Sequence, residues 1–381
     1  MNATSPTVIF GVDAAAVSGV DTLHCALAEG LLTKGFKVKI LRFGAQPQST
    51  LTIPQGSECI DISGPAAWRR IFYPRRRSWT PYYRRVVTKV AHSHIKNALP
   101  ATLIAGHLGG LWMPNTPGLF QLGVIHAADD GNASSMLKYH AHWDACVAVS
   151  QGALDMVYAK CPDLSPRTEL ILNGVRIPLS IRDRKPGPLR ILLAGRIVQQ
   201  QKRMLDLPEI LALLKQEKNV DVTVAGVGSE LENLRTQIAQ KAPRVRVNFT
   251  GKLSQSALLQ QMEQMDAMLL LSDYEGTPMA LMEAMARGCI PISSRGCGGL
   301  LPLLEHWFPE HLFTPGDTHT AAALIDRLAE SENKSTLHYK AYEAIKSSPH
   351  TLAAMVDSYE KILLKAHEAC LNSYANADSL H

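Results

Sequence analysis

Short β-rich runs alternate with helical apolar patterns along almost the whole chain, and that alternation admits few architectures. In the first half the runs are TVIFGV (7–12), KVKILRF (37–43), TLIAG (102–106), LGVIHA (122–127), CVAVS (146–150) and ELILN (169–173). In the second they are RILLAG (190–195), VTVAG (222–226), RVNFTG (246–251), MLLLS (268–272) and CIPIS (289–293). Several are apolar without interruption, as strands covered by helices on both faces must be. Leu23, Leu27 and Leu31 recur at helical spacing after the first run, and Leu258, Leu259 and Met262 do so before MLLLS. The pattern predicts an α/β fold of two Rossmann-like, doubly wound parallel-sheet domains.

Length agrees with two domains, since 381 residues exceed what one hydrophobic core organises. Residues 178–189, PLSIRDRKPGPL, are rich in proline and charge and read as the linker. The expected units are 1–180, 181–350 and a final helical segment, 351–381, that no strand follows and that is free to cross back to the first domain. No stretch of about 18 apolar residues occurs, and the amino terminus lacks a basic flank before an apolar run, so a cytoplasmic protein is expected. Seven cysteines without paired spacing read as reduced thiols. A formal charge of +5 is small for this length, which makes its distribution more informative than its sum.

In doubly wound sheets ligands bind beyond the carboxyl ends of the strands, so residues just after strands carry most weight. The stretch YEGTPMALMEAMAR (274–287) sets Glu275 and Glu283 eight positions apart around a Gly276–Thr277–Pro278 step. Pro278 suits the first helical turn and Thr277 suits its cap, so a helix is predicted to run from Pro278 to about Gly288. Its amino end would favour a phosphate, and the two carboxylates would accept from hydroxyls at different parts of a ligand. Solvated glutamates on a surface helix are the plain alternative.

The segment SDYEGTPMALMEAMARGCIPISS resembles the most recognisable stretch of the retaining glycosyltransferases of family 4, which have the GT-B fold of two Rossmann-like domains facing a cleft. That resemblance implies that Glu275 contacts the donor sugar and Glu283 the nucleotide ribose, with the backbone of Gly276, Thr277, Pro278 and Met279 near sugar and diphosphate. LLAGRIVQQQKRMLDL (192–207) is similar to the family's glycine-arginine loop and downstream lysine. Gly195, Arg196 and Lys202 are therefore expected at the diphosphate, although exposed basic side chains would also explain the two cations. Gly226, with Gly228, matches the next strand-end loop, and Gly251 and Lys252 match the turn lining the base pocket. In the first domain Gly19 stands where the family has a double glycine, here preceded by Ser18, and His126 stands where an active-site histidine is common. Asp129 and Asp130 follow and would orient an acceptor or cap a helix.

The resemblance further implies same-face transfer, in which the departing diphosphate accepts the acceptor's proton while Arg196, Lys202, Glu275 and His126 position and neutralise. The expected donor is a nucleotide sugar, a UDP-sugar ahead of a GDP-sugar, with a hexose-type sugar and a hydroxyl acceptor of a polysaccharide, glycolipid or glycoconjugate. No bound cofactor is expected. No two aspartates are separated by a single intervening residue, so a divalent metal is not expected to be required.

One segment stands outside this pattern. Residues 68–85, WRRIFYPRRRSWTPYYRR, interleave arginines, Arg75, Arg76 and Arg77 among them, with aromatics. It falls in the half expected to receive the acceptor and suits an anionic or lipid-linked acceptor or peripheral contact at the inner face of a membrane. A solvated loop with aromatics plugging the domain explains it too. Nucleic acid is the less favoured partner, and two alternatives to transfer stand beside the main reading. They are a sugar-nucleotide epimerase on the same fold and a nucleic-acid-binding protein on an inactive scaffold.

Overall fold

The computed structural model describes residues 5–14, 19–43, 51–62, 81–105, 111–126 and 137–378. Among them the chain divides into two compact units, 1–172 with 352–381, and 173–351.

The first unit is built on β1 (Thr7–Asp13), β2 (Lys37–Phe43), β3 (Glu58–Asp61), β4 (Ala101–Ile104), β5 (Leu119–Ile125), β6 (Ala145–Ala148) and β7 (Thr168–Leu170). They form one parallel sheet in the order β3-β2-β1-β4-β5-β6-β7. Central strands are buried along their length, as in β1, whose Ile9, Phe10 and Val12 are wholly excluded from water. The sheet therefore needs a helical layer on each face. The helix Leu352–Asp378 belongs to this unit. Its Cys370 thiol donates to Ala101 O at 3.3 Å, and its Ser373 hydroxyl accepts the Gly118 N–H at 2.9 Å. Lys34 closes the other end of the same contact, with Asp357 at 2.7 Å and Glu360 at 2.9 Å.

The second unit holds β8 (Leu189–Ala194), β9 (Val220–Ala225), β10 (Arg246–Gly251), β11 (Ala267–Leu270), β12 (Ile290–Ser294) and β13 (Leu312–Phe313). These are parallel, in the order β10-β9-β8-β11-β12-β13. Counted within the unit this is the 3-2-1-4-5-6 order of a Rossmann sheet, and the first unit repeats it before adding β7. The fold is thus the pair of Rossmann-like domains that define the GT-B class. A partly buried pair ties β8 to the residue before β11: Arg190 Nε and Nη2 both donate to the Asp266 carboxylate at 2.9 Å.

The division between units falls at 172/173, eight residues before the expected 180. Asn173 and Val175 are tied to the far end of the second unit, where His350 Nδ1 meets Asn173 O at 3.1 Å and Val175 N–H donates to His350 O at 2.9 Å. The proline-rich stretch is fastened there as well. Arg184 donates to Met265 O at 2.7 Å and Arg287 O at 2.6 Å, and the Tyr342 hydroxyl donates to Pro178 O at 2.8 Å. Composition marked this stretch as the interdomain linker, and its hydrogen bonds make it part of the second unit.

Candidate active site

The strand order of the second sheet reverses between β8 and β11, which leaves a crevice beyond their carboxyl ends. The loops leaving these two strands carry Lys202 and Glu275, and the two side chains meet there. Lys202 Nζ donates to Glu275 Oε1 at 2.6 Å, with side chains only 19% and 9% exposed. The Ser272 hydroxyl donates to the same carboxylate oxygen at 2.5 Å. A carboxylate so withdrawn from water depends on these donors, and a pair of this kind is strongly destabilised when one partner alone is removed.

The backbone of the β8 loop is held by close packing against its neighbours. Gly195 (φ 152°) donates its N–H to Ala225 O at 3.0 Å, and Ile197 N–H donates to Val227 O at 3.0 Å. A Cβ on Gly226 (φ 154°) would lie 1.9 Å from Gly195 O, and one on Gly228 would lie 2.0 Å from Ile197 O. These glycines therefore let the loops after β8 and β9 touch backbone to backbone. Arg196 is exposed and donates to Gln201 Oε1 at 3.1 Å. On the other side Gly299 N–H donates to Gly276 O at 2.8 Å, and a Cβ on Gly298 would strike Glu275 O at 2.0 Å. The strip 275–276 is thus fixed from behind by 298–299.

Helix Met279–Met285 starts one residue later than expected. Pro278, with ψ 79°, is its cap and not its first residue, and Pro278 O accepts from Leu281 N at 3.0 Å and Met282 N at 3.2 Å. Met279 N–H is engaged by Thr277 O at 2.9 Å, so this amide is not among the free groups foreseen at the helix start. The helix ends at Met285, three residues before the expected Gly288, and the chain then turns through Gly288, whose φ of 81° lets Cys289 N–H return to Ala284 O at 2.9 Å.

Glu283 lies inside this helix, and Gln255 Nε2 donates to its Oε1 at 2.6 Å. Burial pushes its carboxyl up to about 7, against the opposing pull of Arg287 and the Gln255 hydrogen bond. Arg287, one turn on, donates to Glu283 O at 3.0 Å, and its own burial lowers the guanidinium's affinity for a proton. Gly251 closes β10 with φ 69° at a break in register, and Lys252 beyond it is exposed.

In the first unit Gly19 is the first residue of helix Gly19–Thr33, and a Cβ there would meet nothing within 4 Å. No packing demand explains that glycine. His126 follows β5, half-buried, its ring 5.5 Å from that of His24, which lies 5.7 Å from Phe10. Ser18, Asp129, Asp130 and Arg75, Arg76 and Arg77 lie outside the described residues.

The structure thus joins Lys202 directly to Glu275 and places Gly195, Arg196, Gly226 and Gly276 in the surrounding loops. Sequence reasoning missed Ser272, Gln255, Gln201, Arg203 and Asp273. Ser272 had a signal, being the polar residue that ends the apolar run before Glu275.

Residues 180–346 match the family model described as Glycosyl transferases group 1. The matched residues lie within the second unit, 173–351. Among curated proteins, the amylovoran biosynthesis glycosyltransferase AmsK of Erwinia amylovora is 30% identical over 171 residues, 43% of this chain and 42% of that protein. The lipopolysaccharide 1,6-galactosyltransferase of Salmonella typhimurium is 28% identical over 198 residues, 50% of this chain and 54% of that one. The chain therefore spans about half the length of the curated relatives it matches. Among solved structures, TarM of S. aureus, in complex with UDP among other ligands, has a TM-score of 0.77 at 11% identity, covering 94% of this chain and 99% of that one. HepE of Anabaena, in complex with UDP and glucose, has a TM-score of 0.72 at 17% identity, covering 93% and 98%. At such identities the likeness is one of fold.

Proposed function

We propose that this protein is a retaining glycosyltransferase of the family 4 type, moving a hexose-type sugar from a nucleotide sugar to a hydroxyl acceptor. The observation that carries this reading is the ion pair of Lys202 and Glu275 at the strand-order reversal of a group 1 domain. Each partner then has a task. Lys202 and Arg196 offset the charge that grows on the diphosphate as the glycosidic bond breaks, and Glu275 accepts from sugar hydroxyls and fixes the ring's orientation. Glu283, once ionised, accepts from the ribose hydroxyls, with Gln255 holding its other lone pairs in place. In the first unit His126 and Gly19 serve the sugar and the donor phosphates. The acceptor's proton leaves with the diphosphate oxygen on the same face of the sugar, so the protein positions and neutralises and needs no nucleophile of its own. Side-chain cations do the neutralising, and a divalent metal is not required.

A UDP-sugar is the favoured donor, with GDP-sugar second. Fold neighbours crystallised with UDP support that order. The names of the curated relatives point to a bacterial surface glycan as acceptor. An anionic or lipid-linked acceptor would suit the arginine-rich residues 68–85, with the protein on the cytoplasmic side, peripheral to the membrane. No helix among the described residues is long and apolar enough to cross a membrane.

The test is incubation with UDP-, GDP- and ADP-hexoses and measurement of released nucleotide, alone and with lipid-linked or oligosaccharide acceptors. One donor should be consumed slowly alone and faster with an acceptor, and the product should keep the donor's anomeric configuration. Inversion of configuration, or no consumption of any donor with any acceptor, would overturn the reading.

A further inference from the structure

Two residues flanking Lys202 adopt the left-handed backbone conformation, and neither is glycine: Gln201 has φ 73° and Arg203 has φ 49°. Side chains with a Cβ avoid that region, and such outliers persist only where surrounding contacts enforce them. Both residues make contacts to the segment just before Glu275. Asp273 N–H donates to Gln201 O at 2.8 Å, and Gln201 Nε2 donates to Tyr274 O at 3.3 Å. Arg203 Nη1 donates to Asp273 Oδ1 at 3.1 Å while its Nε donates to Asp206 Oδ2 at 2.7 Å. Gly316 makes room for the guanidinium, since a Cβ there would stand 2.8 Å from Arg203 Nη2.

From this geometry we infer that Arg203 is a positioning residue for the reaction: its bridge between Asp206 and Asp273 holds Lys202 opposite Glu275. The inference deepens the proposed donor site and rests on it. Residues 202 and 203 are adjacent, and Asp273 precedes Glu275 by two, so the Arg203–Asp273 pair runs beside the Lys202–Glu275 pair and ties the same two loops. A lysine side chain has many rotamers, and only a backbone fixed at both ends limits where its ammonium can go. The left-handed turn at 201 and 203 supplies that fixation, and the Arg203 fork keeps the turn in place. Arg203 touches neither sugar nor diphosphate in this account, and its effect passes through Lys202.

The discriminating substitution is Arg203→Gly. Glycine adopts φ 49° without strain, so the backbone is relieved while the bridge is lost. Asp273→Asn removes the charge from the other end and leaves the backbone alone, and Arg203→Lys keeps the charge without the fork. The first readout needs no substrate: the rate at which Lys202 is acylated by an amine-reactive reagent in the purified full chain, followed by peptide mass spectrometry against exposed Lys252 as internal reference. Lys202 should react at least three times faster in Arg203→Gly and in Asp273→Asn than in the parent, with an unchanged unfolding midpoint and unchanged Lys252 reactivity. The second readout is kinetic. For a consumed donor, kcat should fall at least tenfold in Arg203→Gly with KM changing less than threefold, and Arg203→Lys should recover part of the loss. Unchanged Lys202 reactivity in both variants with the fold intact would overturn the positioning role, whatever the substrate. Faster acylation with kcat unchanged would also overturn it, since the bridge would then hold Lys202 without serving transfer. If no donor is consumed by the parent, the acylation result still decides whether Arg203 holds Lys202, so failure of the functional reading is told apart from failure of this one.

Discussion

Gln255 donates to Glu283 at 2.6 Å across 28 residues of sequence, joining the helix after β10 to the helix after Glu275. That hydrogen bond favours the ionised carboxylate, yet burial outweighs it and lifts the carboxyl to about 7 from an ordinary 4.5. The folded state therefore holds a proton that the unfolded chain releases between those values. Stability from this group is present at low pH and is lost as pH rises from about 4.5 to about 7, the reverse of a salt-bridged carboxylate. Glu283→Gln should be more stable than the parent at pH 8, by on the order of 2 kcal/mol, and close to it at pH 5. Urea unfolding of both proteins at the two pH values checks this, and equal differences at both would contradict it.

The same proton governs the donor. A protonated Glu283 offers one acceptor fewer to ribose hydroxyls, so nucleotide affinity should rise several-fold from pH 6 to pH 8 and lose that dependence in Glu283→Gln. Calorimetric titration with UDP at the two pH values measures it.

Gly226 and Gly19 make opposite demands. Alanine at Gly226 would put a methyl 1.9 Å from Gly195 O in a backbone region closed to it, so Gly226→Ala should cost about 3 kcal/mol or more. Alanine at Gly19 meets nothing within 4 Å, so Gly19→Ala should fold with stability within about 0.5 kcal/mol of the parent or slightly above it. Loss of donor turnover in that stable variant would then report a ligand and not the fold. Thermal melts beside turnover assays separate the two.

How much of this was legible beforehand follows from where each signal resides. Central strands could be read because burial on both faces writes itself as continuous apolar sequence. Edge strands β3, Glu-Cys-Ile-Asp, and β13, only Leu312–Phe313, could not, because the first is largely exposed and lacks an apolar run while the second, though buried, is two residues long. The carboxylates Glu275 and Glu283 stood out through their local spacing around Pro278. Gln255 and Arg203 did not, because what matters about them is contact with residues 28 and 70 positions away. The helix start was misplaced by one because proline fixes φ but not ψ, and here ψ is 79°.

Glu275→Gln keeps the shape of the side chain and removes the charge that faces Lys202. Turnover of a consumed donor should fall by at least about a hundredfold in a variant that is less stable, because the ion pair is broken, but still folded at the assay temperature. Unchanged turnover in a folded variant would remove Glu275 from the donor site.

Residues 68–85 offer an independent test of acceptor class. Sedimentation with vesicles should be strong for anionic and weak for neutral lipid, and should fall at high salt. No sedimentation under any of these conditions would exclude the membrane contact.

The central claim is that the Lys202–Glu275 pair marks the donor site, and thermal stabilisation by a panel of UDP-, GDP- and ADP-sugars tests it most directly. A donor at about a hundred times its Kd should add roughly 2.7 kcal/mol to the parent, and Lys202→Met, itself folded, should lose most of that gain. Equal stabilisation of the two proteins, or none of the parent by any donor, would contradict the claim.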